Sequence, residues 1–271
     1  MKYALFTGAG GGLGGAGALA MAASGWTVFA ADINEEALEA LRGVPGIIPV
    51  KIDITNQASI EAAVQEVRKY TSTLQAVINF SGMHTMASMV EGAIIGTMEK
   101  IIDVNVMGMV RVNRAFFEMV KAGGGRIINC SSECGYMKAQ PFNGPYTVTK
   151  YAVEAYNDSL RRELLCLGVK VIKIQPGSFK TNMHSAAEAG FEKLFNSTQY
   201  YQAVLKKMKP MMEMELKMAN DPRHLVKALL RAVNDDRPKI NYRVKNSKLL
   251  GLLEPIPEAL VDKIYKIILK Q

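Results

Sequence analysis

Short apolar runs alternate with longer amphipathic ones along the first two thirds of this chain. Residues 3–7, 26–31, 47–52, 76–80, 126–130 and 169–175 are nearly continuous apolar stretches. Each is bounded by Gly, Asp, Asn or Pro, the pattern of strands buried on both faces. Helical patterns lie between them at residues 13–23, 35–42, 57–70, 97–121 and 145–167, with Asn34 and Asn56 placed as N-caps. Such alternation predicts an α/β fold, a parallel sheet with helices on both faces. The run Lys121-Ala122-Gly123-Gly124-Gly125-Arg126 reads as a helix stop. Beyond Pro176-Gly177 the rhythm changes. A long mixed segment covers 183–218, a helix with Pro222 at its first position runs to about Val233, a last strand covers 239–244, and a basic, apolar helix fills 256–269. No internal repeat or domain boundary interrupts this, so residues 1–271 read as one domain.

The composition adds limits. The 271 residues are 49% hydrophobic and 21% charged, ordinary for a globular chain. Cys130, Cys134 and Cys166 form no C-x-x-C pair, and no His/Cys/Asp/Glu grouping has metal-ligand spacing, so no metal is expected. No window of eighteen unbroken apolar residues implies a membrane span, and a cytoplasmic protein is the expectation. The net charge is +8, but residues 1–181 carry 17 basic and 15 acidic side chains, while 182–271 carry 16 and 10. The excess therefore belongs to the last third. Tyr200, Tyr201 and Tyr242 are too scattered among the basic residues to suggest nucleic-acid binding.

Candidate chemistry gathers at the ends of the expected strands. Thr7-Gly8-Ala9-Gly10-Gly11-Gly12-Leu13-Gly14 follows the first strand and opens the first helix. Glycines let backbone approach a pyrophosphate, and the helix N-terminus favours the anion. Asp32 ends the second strand, where a carboxylate accepts from an adenosine ribose and repels a 2′-phosphate. No Lys or Arg stands in the glycine turn or beside Asp32, which predicts NAD(H) over NADP(H). Asp53 ends the third strand and suits either an adenine amino group or a turn cap. Tyr146 and Lys150 share one helix face at i,i+4. An ammonium there is expected to stabilise a phenolate and lower a pKa otherwise near ~10, giving an acid–base group for hydride transfer. Ser131-Ser132 follows the fifth strand, Asn105 interrupts a helix, Asn79-Phe80-Ser81-Gly82 ends the fourth strand, and Pro176-Gly177 through Thr181 follows the sixth. Open α/β sheets bind ligands at these carboxyl ends.

With these residues in place, the chain resembles the short-chain dehydrogenase/reductase family, strongly over about residues 1–181. The family's Thr-Gly-x-x-x-Gly-x-Gly matches Thr7, Gly8, Gly12 and Gly14. Its Asn-Asn-Ala-Gly is altered to Asn79-Phe80-Ser81-Gly82. Its catalytic Asn, Ser, Tyr and Lys match Asn105, Ser132, Tyr146 and Lys150, and its Pro-Gly…Thr matches Pro176, Gly177 and Thr181. Ser132 precedes Tyr146 by fourteen residues, one more than the commonest family spacing, and Ser131 is the lesser claimant.

The resemblance implies a single-domain Rossmann fold with a seven-stranded sheet, a core over 1–181, and a substrate lid and cap over 182–271. It implies NAD held by Gly8, Gly12, Leu13, Gly14, Asp32, Asp53, Ile54, Asn79, Ser81, Gly82, Tyr146, Lys150, Pro176, Gly177, Phe179 and Thr181. In that scheme Tyr146 exchanges a proton with the substrate oxygen and Ser132 hydrogen-bonds it. Lys150 holds the ribose, Asn105 supports a water, and Thr181 meets the carboxamide. A homodimer or homotetramer is implied, through the helices bearing Asn105 and Tyr146.

Residues 146–163, 168–171 and 179–183 resemble the hydroxysteroid and retinol dehydrogenase branch, and the tail from Leu250 to Asp262 more loosely. This implies an apolar secondary alcohol or ketone, a hydroxysteroid or bile acid first. A broad carbonyl reductase, a retinol-type dehydrogenase and a non-catalytic NAD-binding regulator are the alternatives. Met208, Met211, Met212, Met214 and Met218 suit either a lid that moulds around a rigid apolar ligand or a packed helix pair. The terminal helix suits either a pocket or subunit cover or peripheral membrane contact. His84 and His184 follow strand ends, at the pocket mouth or in exposed loops. Cys134 is placed near the substrate, while Cys130 and Cys166 read as small buried hydrophobes. Glu133, beside Ser132, has no explanation at this level.

Overall fold

The structure, a computed structural model, describes residues 1–269, without the side chains of Asn182, Met183, His184 and Ala186; the expectation for His184 lies outside the described residues. Seven strands run β1 (Lys2–Thr7), β2 (Trp26–Asp32), β3 (Ile47–Lys51), β4 (Ala76–Asn79), β5 (Arg126–Cys130), β6 (Lys170–Pro176) and β7 (Asn241–Val244). They form one sheet of order β3-β2-β1-β4-β5-β6-β7, every neighbouring pair parallel. The order reverses direction between β1 and β4, which opens a crevice at the strands' carboxyl ends.

Alternation along each strand divides the core in two. Ala4, Phe6, Val28, Ala30, Ile78 and Ile174 face α1 (Gly12–Ala23) and α9 (Arg223–Asn234). Leu5, Phe29, Ala31, Val77 and Ile127 face α3 (Gln57–Arg68), α5 (Met109–Ala122) and α6 (Gly144–Leu164). Both sides are apolar, so the strands read as continuous apolar runs rather than alternating ones. Asn34 accepts from the Ala37 amide at 3.1 Å to start α2 (Glu35–Glu39), and Asn56 accepts from Ser59 at 3.2 Å to start α3.

Several boundaries differ from expectation. The helix expected over 97–121 is α4 (Ile94–Ile102), a π-helical turn at Asp103–Gly108, and α5. Pro222 caps α9 from outside rather than occupying its first turn. The mixed segment resolves into α7 (Asn182–Ser197) and α8 (Gln202–Lys217), and β7 is followed by a short α10 (Lys248–Leu253) before α11 (Glu258–Leu269). Met208 and Met212 pack with Phe191, Leu194 and Leu205 between α7 and α8, whereas Met211, Met214 and Met218 are exposed. The methionines therefore divide between a packed helix pair and a free face. Among the described residues, no helix is long and apolar enough to cross a membrane.

Candidate active site at the carboxyl edge of the sheet

The glycine turn leaves β1 at Gly8, whose φ of +77° is open to glycine and strained for other residues. A Cβ on Gly14 would lie 2.0 Å from the Gly8 carbonyl oxygen, so turn and helix meet backbone to backbone. Gly11 caps α1 without a side-chain hydrogen bond, and the first turn holds no acidic residue. Its leading N–H groups are thus offered to an anion. A Cβ on Gly12 would lie 3.3 Å from the Thr181 side chain, and one on Gly8 would run into the Ser81 amide. The Asp32 carboxylate accepts from the Gly10 amide at 2.8 Å and from Asn34 at 3.0 Å, which places it against the glycine turn. This cradle of backbone donors with an acidic group at its far end fits a dinucleotide.

Other expected cofactor residues carry side chains committed elsewhere. Asp53 accepts from the Thr55 amide at 2.9 Å and its hydroxyl at 2.6 Å, which is the turn-capping alternative. Ile54 is buried under Gly108, and Phe179 packs in the core with Leu225 and Leu229. Leu13 is half-buried against the same core. Asn79 donates to Asn113 at 2.7 Å and Asn129 at 2.9 Å, so its amide serves a buried network. The side chains of Ile54 and Phe179 are thus packed in the core, and Asn79 spends its amide N–H groups on the network while its Oδ1 is buried without a partner among the described residues. Gly177, after Pro176 at the end of β6, donates to the Val244 carbonyl at 3.0 Å and fixes the start of the loop leading to Thr181.

The four expected catalytic residues converge. Asn105 lies in the π-helical turn, a departure from α-helix that recurs at functional sites. It is 1% exposed; its carbonyl accepts from the Met83 amide at 2.8 Å, and its amide donates to the Met83 carbonyl at 2.9 Å and Thr149 Oγ1 at 3.1 Å. Thr149 in turn donates to the Tyr146 carbonyl at 2.7 Å, tying Asn105 to the first turns of α6. Lys150 Nζ donates to the Cys130 carbonyl at 3.1 Å and stands 5.4 Å from the Tyr146 ring centre. Gly82 sits beside both Asn105 and Lys150. Ser132 accepts from the Cys134 amide at 3.2 Å and stands beside Tyr146, where its hydroxyl favours the phenolate. Ser131 is turned under Gly135 instead, its hydroxyl buried.

Burial dominates the electrostatics. It pushes the Tyr146 phenol far above its ordinary range; Cys134 and Cys130 push the same way, and the Ser132 hydroxyl opposes them. Burial likewise lowers Lys150 below the usual lysine range. The expected lowering of the tyrosine by Lys150 is thus overridden here. The phenol is shut away from water, and the ammonium is occupied by the Cys130 carbonyl.

Sequence reasoning left several neighbours open or unseen. His84 meets the Tyr146 ring edge-on, with ring centres 4.6 Å apart, and its Nε2 is 3.0 Å from Asn143 Oδ1. Asn143 also reaches Cys134 Sγ at 3.5 Å. Cys134, Met137, Asn143, Thr147 and Leu250 line a small crevice beside the turn that follows Ser132. Burial raises both the Cys130 and Cys134 thiols to about 11, and Cys166 is exposed rather than buried. Ring packing of this kind joins distant loops and leaves no periodic mark in a sequence.

The family model for short chain dehydrogenases matches residues 2–191. The chain belongs to this family. It is 35% identical to mouse retinol dehydrogenase 16 over 190 residues, covering 69% of this chain and 59% of that protein. It is 34% identical to human 17-beta-hydroxysteroid dehydrogenase type 6 over 192 residues, covering 69% and 60%. The chain thus matches about three fifths of the length of these relatives. A short-chain dehydrogenase/reductase structure from Burkholderia phymatum in complex with NAD superposes with a TM-score of 0.77 at 22% identity, covering 97% of this chain and 95% of that one. The last likeness is one of fold.

Proposed function

We propose that this short-chain dehydrogenase interconverts a secondary alcohol and a ketone with NAD(H), on a hydroxysteroid or bile acid-like substrate. The convergence of Tyr146, Ser132, Lys150 and Asn105 beside the glycine turn carries the reading. Tyr146 gives or takes the proton of the substrate oxygen, and Ser132 hydrogen-bonds that oxygen. Lys150 holds the ribose and exchanges the Cys130 carbonyl for it, and Asn105 holds the loop at Met83 against α6. Gly8, Gly12 and Gly14 admit the pyrophosphate, Asp32 accepts from the adenosine ribose, and Thr181 lies where the nicotinamide end would pass. The bound dinucleotide supplies the hydride acceptor or donor. The protein supplies orientation and a water-poor setting for the proton.

The preference for NAD rests on Asp32 at the ribose end of the cradle. The steroid reading rests on the likeness to 17-beta-hydroxysteroid dehydrogenase type 6, and the likeness to retinol dehydrogenase 16 supports a retinol-type alcohol as the second reading. Three unpaired cysteines suit a cytoplasmic setting. Met107, Val148 and Tyr151, exposed on or beside the helices that bear Asn105 and Tyr146, suit a homodimer or homotetramer. The test is a panel of hydroxysteroids, bile acids, retinol and short alcohols, each assayed for NADH and NADPH formation. NADH formation from hydroxysteroids is expected. Turnover confined to short linear alcohols removes the steroid assignment, and a tenfold preference for NADP removes the reading of Asp32.

A further inference from the structure

Glu133 directly follows Ser132, is 5% exposed, and takes no part in the chemistry above. Its carboxylate accepts from the Ser247 amide at 2.5 Å, across 114 residues of sequence. The Asn246 side chain lies close enough to favour its charged form, and Asn246 donates to the Gln175 carbonyl at 3.0 Å. The segment is held tightly there. Lys245 adopts a φ of +55°, and a Cβ on Gly177 would lie 2.2 Å from the Lys245 carbonyl oxygen. Ser247 then caps α10 by accepting from the Leu250 amide at 3.2 Å. Leu250 lines the small crevice beside that turn with Cys134, Met137 and Thr147. One carboxyl thus joins the turn that carries Ser132 to the start of the helix that brings Leu250 to this crevice. Burying a carboxyl is costly unless it is well hydrogen-bonded, so its partners here define its use.

We infer that Glu133 is a positioning residue: it latches the Ser247 end of α10 to the catalytic turn and so sets the wall of the substrate crevice at Leu250. The inference rests on the proposed active site for its kinetic consequence only. The latch itself is read directly from backbone exchange.

The test uses the full chain and four variants. Glu133→Ala removes the acceptor, and Glu133→Gln keeps an oxygen in its place. Ser247→Pro removes the donor from the other side, at a φ of −60° that proline accepts. Ser247→Ala keeps the amide and loses only the cap. Hydrogen exchange across 247–253 should quicken about tenfold or more in Glu133→Ala and Ser247→Pro, and stay within about threefold of wild type in Glu133→Gln and Ser247→Ala. With an alcohol found active in the panel, KM should rise about fivefold or more in the first pair. Their kcat and NADH affinity should stay within about twofold, and Glu133→Gln should restore KM. Unchanged exchange in both Glu133→Ala and Ser247→Pro overturns the latch. Faster exchange with unchanged KM overturns its role in the crevice. Should Glu133→Ala fail to fold, Ser247→Pro decides both points. Absence of turnover on the whole panel counts against the proposed substrate, while the exchange result still judges the latch.

Discussion

Behind the catalytic residues lies a buried asparagine network whose removal has a calculable effect. Asn129 on β5 is fully buried; it accepts from Asn79 at 2.9 Å and Asn113 at 3.3 Å, and donates to Asn157 at 2.9 Å. In Asn129→Ala, Asn79 keeps Asn113 and Asn113 keeps the Tyr156 hydroxyl. Asn157 Oδ1 loses the Asn129 donor, and Asn157 Nδ2 already lacks a partner. One newly orphaned buried acceptor costs about 1–3 kcal/mol. The space left by the amide adds about another 1 kcal/mol. The expected loss is therefore about 2–4 kcal/mol, or a fall in Tm of roughly 4–7 °C for a chain of this size. Urea unfolding followed by tryptophan fluorescence and circular dichroism reads it directly, with Asn113→Ala as a companion. A loss below about 0.5 kcal/mol would refute the view that this network braces β4, β5 and α6. NADH affinity should change little, because the amide of Asn79 faces the network and not the crevice.

Three other outcomes follow from the same geometry. Asp32→Asn keeps an oxygen for the Gly10 amide but removes the charge facing a 2′-phosphate, so the ratio of kcat/KM with NADP to that with NAD should rise about tenfold or more; an unchanged ratio refutes Asp32 as the discriminator. Burial pushes Glu133 up to about 7, with Glu215 of α8 adding to it and Ser247 and Asn246 opposing; Cys134, Tyr136 and Tyr146 are the other titratable groups that feel its charge. A carboxyl raised in the native state favours the neutral form, so its stabilising contribution is complete below about 4.5 and is lost as pH rises to about 7. Glu133→Gln should therefore gain stability relative to wild type across that interval and level off above it, and a flat difference from pH 4.5 to 7 would contradict the assignment. Finally, iodoacetamide at pH 8 should label exposed Cys166 well before Cys130 and Cys134, whose thiols burial holds near 11; equal labelling of all three in the folded protein counts against this burial.

The sheet was readable because each strand is buried on both faces and stands as a short apolar run between turn residues. The glycine turn, Asp32, Tyr146 and Lys150 were readable because local spacing places them at strand ends and on one helix face. What escaped depends on distant partners. Nothing local distinguishes Asn79 as a network member from Asn79 as a ligand contact; Asn113 and Asn129 decide it from α5 and β5. Asn105, in the π-helical turn, finds its side-chain partners in Met83 and Thr149, far from its own helix in sequence. Glu133 acquires a use only when Ser247, on the far side of β7, comes to it. Spacing likewise revealed that Lys150 and Tyr146 are neighbours but not how deeply both are buried.

The central claim is that Tyr146 is the acid–base group of an alcohol dehydrogenase, and Tyr146→Phe tests it most directly. The substitution removes one hydroxyl and keeps the ring that packs against His84. Turnover of the best alcohol and NADH binding by fluorescence titration should be measured side by side. Turnover is expected to fall by about a thousandfold or more, with the NADH Kd within about threefold of wild type. Turnover within about tenfold of wild type, with binding intact, would contradict the account.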